Sequence, residues 1–555
     1  MTSALPYING IKHLGNFVGS MLPADVYARF LRQEGETVLF ICATDEHGTP
    51  TEIAASEAGL DVETFCQRMH EVQAEIYRNL GLSFDYFGRN SSVENHELTQ
   101  HFYQSLNKNG LIEEREMSLV YSLDDERFLP DRYIIGTCPH CGYQSARGDQ
   151  CENCTSLLDP PDLIEPRSAI SGSKRLEVRK TKHLFLKLSA LVDEVKAWVE
   201  AHPNWSNLTK SIAMKWLNEG LKDRCITRDI AWGVPVPRPG FEGKVFYVWF
   251  DAPIGYISAT KAWGIEHSQD WETWWRDSES TKYVQFMAKD NLPFHTIMFP
   301  AMILGTRENW KLADQIRGFN WLTYYGGKFS TSAKRGIFLD QALSLYEADY
   351  WRYSLLSMIP ESADSAFTWE LFQVKVNKEL ADTLGNFVNR TLKFTVNYFD
   401  ATVPEDGCFG LKEQELQNTC KLLVNQYCNS LKNMEFRKAV EALCSLWSVG
   451  NQYIDAAAPW KVIKVDREGA AQVVRACLHL IRIYALVSAP IIPFTSVKLF
   501  DALHLSEIDR MTKISESVNF EALSPGHEIH AISPLFRKLE EEEVQELSAR
   551  FGMRE

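Results

Sequence analysis

The first 42 residues constrain the fold most strongly, because they follow the order strand, turn, helix, strand. A short apolar segment at residues 3–5 leads into a turn at 6–10, and a helical pattern runs from about residue 14 to 33. Residues 37–42 form a continuous apolar run, which is typical of a strand buried on both faces of a parallel sheet. This βαβ unit predicts an α/β fold with a Rossmann-type, doubly wound parallel sheet.

Changes of pattern along the 555 residues divide the chain into four parts. Between two halves of the α/β domain stands a segment with paired cysteines and Pro-rich turns, which we interpret as an insertion. A long stretch of helical periodicity with few Gly or Pro follows, and it predicts an all-α helical bundle. The expected parts are a split catalytic domain at 1–109 and 251–370, the insertion at 110–250, the bundle at 371–510, and a tail at 511–555 that folds back on the body.

Composition limits the classes of function. The formal net charge of -15 argues against generic binding to nucleic acid, although a local basic groove on an acidic body remains possible. No uninterrupted apolar run reaches about 18 residues, and the N-terminus lacks the pattern of a signal peptide. Eight of the 12 cysteines are scattered, as expected of free thiols in a reducing compartment. We therefore expect a cytoplasmic chain with no membrane contact.

Two cysteine pairs predict a metal centre without any family knowledge. Cys138 and Cys141 form one CxxC knuckle, and Cys151 and Cys154 form a second one nine residues later. Four thiolates around one tetrahedral Zn²⁺ leave no open coordination position, so the expected zinc is structural and not catalytic. The alternative interpretation is a set of redox or packing cysteines.

Two further loops are candidates for phosphate binding. His13-Leu14-Gly15-Asn16 opens the first helix, where free N–H groups and partial positive charge suit phosphates. A glycine-rich, basic loop at 326–336 follows the second half of the sheet. Taken singly, each has a plainer interpretation, since His13 suits a simple helix cap and the loop suits a mobile surface segment.

Together the two loops resemble the signatures of class I aminoacyl-tRNA synthetases, HIGH and KMSKS. Longer segments are similar to the methionyl-tRNA synthetase family, and the resemblance runs from residue 3 to about 465 and more weakly to the tail. Several of them look closest to the archaeal and eukaryotic cytosolic branch. These segments are ALPYING at 4–10, ATDEHGTP at 43–50, YVWFDAPIGY at 247–256, AKDNLPFH at 288–295 and DSAF at 364–367.

The resemblance implies roles for residues of the methionine site. An aromatic-rich pocket suits a flexible thioether, because sulfur contacts aromatic rings favourably by about 0.3–1.5 kcal/mol. Asp45 is expected to hold the substrate ammonium. The residues implied to bind methionine are Leu5, Tyr7, Asp45, Trp249, Ala252, Pro253, Tyr256, Asn291 and His295.

The resemblance also implies an ATP site, with magnesium accompanying the nucleotide. Thr331 stands where the family's loop usually has its second lysine, and Asn16 replaces the final histidine of the first signature. Lys334 is expected to compensate, so that Lys334→Ala should reduce pyrophosphate exchange more than Thr331→Ala does. The implied catalytic residues are His13, Asn16, Lys328, Thr331 and Lys334, and the implied ATP-binding residues are Asn9, His13, Gly15, Asn16, Asp290, Lys328 and Thr331.

The helical bundle resembles the family's anticodon-binding domain. Asn386 and Arg390 stand four residues apart and so share a helix face, and Trp460 follows Pro459. Stacking and hydrogen bonding to unstacked bases is how proteins read single-stranded RNA loops. The resemblance implies that these three residues bind the anticodon of initiator and elongator methionine tRNA. The plainer interpretation is core packing for Trp460 and a solvated helix face for the other two.

Three other interpretations stay open at this point. The chain could be a small-molecule nucleotidyltransferase that shares the HxGx helix start, a class I synthetase for another amino acid, or a degenerate synthetase that only binds RNA. The methionine-type segments speak against the first two, and Thr331 is the one hint of the third. Because no extra C-terminal tRNA-binding module follows the bundle, we expect a monomer.

Overall fold

The coordinates are a computed structural model of the chain, and they contain two structural units that meet along a buried face. The described residues are 1–130, 133–148, 151, 153–154, 158, 160–276, 279–329, 335–405 and 407–551.

A five-stranded parallel sheet forms the centre of the α/β unit, as the N-terminal pattern predicts. Each neighbouring pair of strands in it is parallel. Strand order reverses beside the N-terminal strand, which is the mark of a doubly wound sheet. Across the sheet the strands are Gln315–Phe319, Val284–Ala288, Thr2–Ser3, Ile41–Thr44 and Tyr86–Arg89.

The second strand begins later than its apolar run suggests. Residues 37–40 lie outside the strand ladder, and polar groups bind backbone atoms of Leu39 and Phe40. The Phe40 N–H donates to the Asp85 carboxylate at 2.6 Å, and the N-terminal ammonium of Met1 donates to the Leu39 carbonyl at 2.7 Å. The strand starts at Ile41, and it ends at Thr44, directly before the polar segment that enters the site.

Helices cover both faces of this sheet. The predicted first helix is confirmed, and it runs without interruption from Leu14 to Gln33 through one turn of π-helix. A second π-helical turn, Phe294–Met298, opens the helix that continues as Phe299–Thr306. The other helices of this unit are Thr49–Glu57, Val62–Asn79, Val93–Lys108, Val248–Asp251, Gly255–His267 and Glu272–Arg276.

The insertion has antiparallel sheets of its own. Its long strands Ile112–Ser122 and Leu176–Leu186 pair along their whole length, and Arg127–Phe128 and Arg224–Cys225 flank them. A separate small sheet carries the cysteine knuckles, and a two-stranded ladder precedes the second half of the catalytic unit. Their strands are Ile134–Thr137, Ala146–Arg147 and Ile164–Ser168, and Thr227–Arg228 and Val245–Phe246. Helices Val192–Glu200 and Asn207–Glu219 complete the insertion.

A three-stranded sheet follows the catalytic sheet and leads to the helical bundle. It consists of Leu322–Tyr324, Gly327–Lys328 and Ser365–Phe367, with helices Leu339–Leu345 and Ala348–Ser357 between the last two strands. The helices of the bundle and tail are Trp369–Val374, Lys375–Gly385, Asn386–Tyr398, Leu411–Lys432, Phe436–Ala457, Pro459–Val462, Arg467–Ser488, Pro493–Ala502, Glu507–Arg510 and Glu541–Phe551.

One helix in the described part of the chain, Arg467–Ser488, is long and apolar enough by composition to cross a membrane. Within the protein, 89% of its most apolar window is buried. Such burial is typical of the central helix of a bundle, which is apolar on all sides because other helices surround it.

A fully buried ion pair joins the catalytic unit to the bundle. The Arg352 guanidinium lies 2.6 Å from the Asp25 carboxylate, and neither side chain is exposed. Arg352 also donates to the carbonyls of Leu80 and Gly81, in one connection of the catalytic unit, and to that of Ile491, between two helices of the bundle. Because removing one member of a buried, hydrogen-bonded pair leaves an uncompensated charge, this contact restricts how the two units sit against each other.

Candidate active site

The sheet places a crevice where its strand order reverses. Thr2–Ser3 and Val284–Ala288 lie side by side, and the connections that leave their carboxyl ends run in opposite directions. In doubly wound sheets, ligands bind in the crevice at this switch point. The first connection carries the predicted residues Leu5, Tyr7 and Asn9, and the second carries Asp290, Asn291 and His295. The fold thus gathers two segments that stand almost 290 residues apart in the chain.

His13 is the N-cap of the first helix. The prediction that this residue serves as a helix cap is therefore confirmed. Its Nδ1 accepts the Asn16 N–H at 3.2 Å, and the Asn16 side chain accepts the His13 N–H at 3.2 Å. This reciprocal capping box satisfies two N–H groups at the helix start.

The helix cap also determines the tautomer of the His13 imidazole. Burial lowers the pKa of His13 to about 4, and the charge of Lys12 adds to that effect, so the ring is neutral at pH 7. Because Nδ1 acts as an acceptor, the ring proton must lie on Nε2. The Nε2–H is therefore available to donate to an anion such as a phosphate oxygen, while the backbone cap stays intact.

The two signature segments contact each other at Gly15. The ring of Phe329, from the second signature, stacks on His13 with centroids 4.9 Å apart. A Cβ at Gly15 would lie 3.1 Å from the His13 ring and 3.3 Å from Phe329, tighter than ordinary contacts. A larger residue at position 15 would therefore require one of these two rings to shift by a few tenths of an ångström. Thr331 and Lys334, predicted to act in the second loop, lie outside the described residues.

Aromatic side chains form the wall of the predicted methionine pocket. Trp249 packs on Phe294 with ring centroids 4.4 Å apart and is 39% exposed, so part of its ring is open to a ligand. Pro253 and Tyr256 are buried behind it, and Leu5 lies against Gly255 of the same segment. The predicted residues therefore come together from three separate stretches of sequence, with Ala252 half-buried among them.

A hydrogen-bonded pair of polar groups lies in this apolar wall. The His295 Nδ1 donates to the Asn291 carbonyl at 2.9 Å, so Nε2 is left to accept the Tyr256 hydroxyl proton at 2.8 Å. Burial lowers the pKa of His295 to about 4 and raises the pKa of Tyr256 well above its ordinary value, so both groups are neutral. The Tyr256 oxygen keeps lone pairs for a ligand, and no net charge is added to the pocket.

Carboxylates collect on the other side of the crevice. Asp45 accepts the Asn90 amide at 3.0 Å, and Asp251 accepts the same amide at 3.4 Å and the His47 Nδ1–H at 2.5 Å. Burial raises the pKa of Asp45 well above its ordinary value, and the nearby Asp251 charge adds to the rise. Two desolvated carboxyls that share one amide form a site that an ammonium group would stabilise.

A cluster of charged side chains surrounds Trp321, next to Asp290 of the second connection. Its indole N–H donates to Asp290 at 3.3 Å, and the ammonium groups of Lys289 and Lys328 each lie 4.2 Å from its ring centroid. Lys289 is held by Asp364 at 2.6 Å. Lys328 and Asp290, both predicted to bind ATP, are exposed and meet on this one ring.

The four cysteines of the predicted zinc centre lie together. Their sulfur atoms are all within 4.8 Å of one another, with Cys138 and Cys154 at 3.8 Å and Cys141 and Cys151 at 3.6 Å. A tetrahedral zinc with bonds of about 2.3 Å needs sulfur separations of about 3.8 Å. The donor set fits zinc, and four sulfurs leave no position for a substrate.

The knuckle module is attached directly behind the active site. Glu52, on helix Thr49–Glu57, accepts the Tyr133 hydroxyl at 3.1 Å and the Arg127 guanidinium at 3.2 Å. That helix begins four residues after Asp45. The metal module therefore supports the helix that follows the buried carboxylate.

On the helical bundle, the three predicted anticodon residues form one surface. Arg390 lies with its guanidinium carbon 4.6 Å from the Trp460 ring centroid, and Asp455 holds the same guanidinium at 2.8 Å. Asn386 is exposed one turn away on helix Asn386–Tyr398. A flat ring, a guanidinium and an amide with free hydrogen-bonding edges are suited to unstacked bases.

Several residues of the crevice escaped the sequence analysis. Asp251 belongs to the segment YVWFDAPIGY at 247–256, but the sequence does not reveal its pairing with His47, because the two residues are 204 positions apart. Asn90 and Trp321 carried no motif. Lys12 directly precedes His13, and its burial, at 6% exposure, is the property that the sequence did not reveal.

Comparisons with known proteins address the whole chain. The family described as tRNA synthetases class I (M) matches residues 1–392, and the family described as the anticodon binding domain of methionyl tRNA ligase matches 403–555. A crystal structure of Mycobacterium tuberculosis methionyl-tRNA synthetase bound by methionyl-adenylate shares the fold. Its TM-score is 0.78 at 23% identity, and the match covers 97% of this chain and 99% of that one.

Relatives with higher identity cover the chain from end to end. The methionine–tRNA ligase 1 of Acaryochloris marina is 64% identical over 552 residues, with 100% of this chain and 99% of that protein covered. The methionine–tRNA ligase of Streptomyces avermitilis is 56% identical, with 100% and 98% covered. Both are bacterial and lend no support to the expected kinship with the archaeal and eukaryotic branch. With two family matches along its length and such relatives, the chain belongs to the methionyl-tRNA synthetase family of class I aminoacyl-tRNA synthetases.

Proposed function

We propose that this chain is an ATP-dependent methionine–tRNA ligase. It activates methionine to methionyl-adenylate with release of pyrophosphate and then transfers methionine to the 3′ end of methionine tRNA. One observation carries the proposal: a carboxylate pair suited to an ammonium and a helix start suited to phosphate open on the same crevice, beside an aromatic pocket. Relatives named methionine–tRNA ligase, and a fold neighbour that holds methionyl-adenylate, support the choice of substrate.

In the proposed complex, Asp45 holds the methionine ammonium, and Trp249 and Tyr256 contact the thioether. The Asp45 site therefore rejects acids that lack an α-amino group. An apolar pocket alone discriminates between two substrates that differ by one methylene by only about 1–3 kcal/mol. A polar contact from Tyr256 to the methionine sulfur therefore adds to selectivity.

Activation then needs no protein nucleophile. A methionine carboxylate oxygen forms a bond to the ATP α-phosphorus as the bond to the bridging oxygen breaks, and that electron pair leaves with pyrophosphate. The protein contributes positioning and charge stabilisation. His13 Nε2–H, Asn9 and Lys328 bind phosphate oxygens, and Asp290 binds the ribose. Magnesium bound to ATP neutralises part of the charge of the leaving group.

The helical bundle binds the second substrate, which is the tRNA. Trp460 stacks on an anticodon base, and Asn386 and Arg390 bind base edges of initiator and elongator methionine tRNA. The acceptor end then reaches the adenylate, whose carbonyl carbon is attacked by a terminal ribose hydroxyl as AMP leaves.

The test is ATP–pyrophosphate exchange with each of the amino acids, followed by charging of methionine tRNA. Exchange that depends on methionine alone is the expected result. Exchange with another amino acid would replace the substrate, and silence from a folded, zinc-replete sample would favour an RNA-binding protein without catalytic activity.

We also propose that the four cysteines bind one structural zinc per chain. Metal analysis of protein purified without chelators should give close to one zinc. A Cys151→Ser variant should lose the metal and most of the exchange activity, because the knuckle module supports Glu52. Retained activity in a metal-free variant would contradict a structural role. We further propose a cytoplasmic monomer, which sedimentation and fractionation would test.

A further inference from the structure

Lys12 is a buried lysine in the crevice that no motif assigns. Its side chain is 6% exposed, and lysine is almost never fully buried without a partner. The Lys12 carbonyl accepts the Leu339 N–H at 2.9 Å, which fixes the backbone just before the His13 cap. The ammonium group donates to the Asn9 side-chain oxygen at 3.0 Å. The lysine thus turns back over the Asn9 turn, along the crevice.

Its charge acts on both halves of the site. Burial raises the pKa of Asp45, and Lys12 opposes that rise; burial lowers the pKa of His13, and Lys12 adds to that fall. The geometry agrees with this: the Ile8 N–H donates to the Asp45 carbonyl at 2.8 Å, so the Asn9 turn that Lys12 contacts adjoins the residue proposed to hold the methionine amine. Lys12 also directly precedes His13, whose imidazole is proposed to face phosphate. In the proposed complex, the methionine carboxylate and the α-phosphate meet between these two residues.

The ammonium has unused hydrogen-bonding capacity. It carries three N–H donors, and Asn9 is the one acceptor that the described residues offer it. Burial lowers the pKa of Lys12 to about 8, with Asp45 opposing the fall, so the charged form still predominates at pH 7. A buried cation with free donors is costly until an anion binds to it.

We propose that Lys12 is a catalytic residue of the activation step, whose ammonium donates to a nonbridging oxygen of the ATP α-phosphate. This rests on the proposed function. As the carboxylate oxygen bonds to phosphorus and the bond to pyrophosphate breaks, negative charge builds on the nonbridging oxygens. A cation already desolvated and held by Asn9 stabilises that charge without reorganisation. Lys12 transfers no proton in this step.

The alternative is that Lys12 only serves the ground state, either as a counter-ion of Asp45 or as a support for Asn9. A counter-ion of Asp45 would affect methionine binding, and a support for Asn9 would affect ATP binding. The proposed role predicts a loss in the rate of the chemical step instead.

The experiment uses full-length Lys12→Met, which keeps the chain length and removes the charge. Single-turnover formation of methionyl-adenylate at saturating substrates should slow by about 10²–10³-fold, the loss typical of one preorganised donor. The Kd for methionine, measured by tryptophan fluorescence, should not rise. Lys12→Arg should regain part of the rate, because it restores a cation.

Lys498→Met is the matched control, because this lysine lies on helix Pro493–Ala502 of the bundle, pairs with Glu347 and is half exposed. Its rate should equal that of the wild type. A Lys12→Met rate within about threefold of wild type, or a slowing that saturating methionine abolishes, would overturn the proposal. If Lys12→Met does not fold, Lys12→Gln takes its place under the same criteria. Failure of the wild type to form any methionyl-adenylate would instead reject the proposed function.

Discussion

The active-site crevice and the anticodon surface use the same kinds of side chain in opposite surroundings. Asp45 is 5% exposed and has a raised pKa, whereas the Asp455 side chain is 59% exposed and pairs with Arg390 in contact with solvent. Charges in the crevice are desolvated before any ligand arrives, so each acts strongly on a bound substrate. Charges on the bundle are screened, so affinity there must come from stacking and from several weak contacts.

The largest expected effect comes from Asp45→Asn. Transition-state stabilisation in methionine-dependent exchange should fall by about 2–5 kcal/mol, the typical cost of truncating one side of a buried charge pair. Thermal unfolding should occur at higher temperature at pH 7. A carboxyl with a raised pKa in the folded state costs stability above that pKa and none below its ordinary value, and the variant removes this cost.

Asp455→Asn is the control for this comparison. Its exchange rate should match that of the wild type, and its unfolding should be shifted little, because the carboxylate is exposed. Equal losses of exchange in both variants would remove the distinction between the two regions.

Methionine binding should weaken as the pH falls through the raised pKa of Asp45. Protonation removes the charge that pairs with the substrate ammonium, so the wild-type Kd should rise on the acid side and level off at higher pH. The groups that shift this titration are Asp251, Glu46, Lys12 and the amide of Asn90. Binding to Asp45→Asn should be weaker throughout and nearly independent of pH in that window, as measured by fluorescence titration.

Trp460→Ala should affect the second region alone. Loss of one stacked base costs about 1–3 kcal/mol, which should be visible as a higher KM for tRNA in aminoacylation. Exchange with methionine and ATP should be unchanged. Met511→Ala, a substitution of another exposed apolar side chain, serves as the control and should leave both reactions intact. A fall in exchange for Trp460→Ala would indicate that the two regions are coupled through the Arg352 contact.

The smallest expected effect comes from Tyr256→Phe. The variant keeps the ring and removes one hydroxyl, so the Kd for methionine should rise by an amount equivalent to about 0.5–1.5 kcal/mol. Tyr398→Phe, on the exposed side of the bundle, should change nothing. A much larger effect of Tyr256→Phe would mean that His295, left without its donor, changes its tautomer and disturbs the pocket.

Local patterns predicted much of the fold, because each depends on neighbours in sequence. The helix from 14 to 33 follows from its 3.6-residue period, and the bundle follows from the same period over a longer stretch. Strand limits were predicted less well. The run at 37–42 shifted to Ile41–Thr44, and Asp85 and the N-terminus, both distant in sequence, bind backbone atoms of Phe40 and Leu39.

The sequence by itself determined the four zinc-type cysteines, since their spacing alone brings them within reach of one ion, and it placed His13 at a helix start. The residues of the methionine pocket were implied by the resemblance to a known family and by no spacing rule. Only the tertiary structure decided which charges are buried and what they face. Asp251 meets His47 across 204 residues, and Lys12 is buried where its carbonyl accepts the N–H of the distant Leu339. Desolvation is a property of all surrounding atoms together, and so no local pattern encodes it.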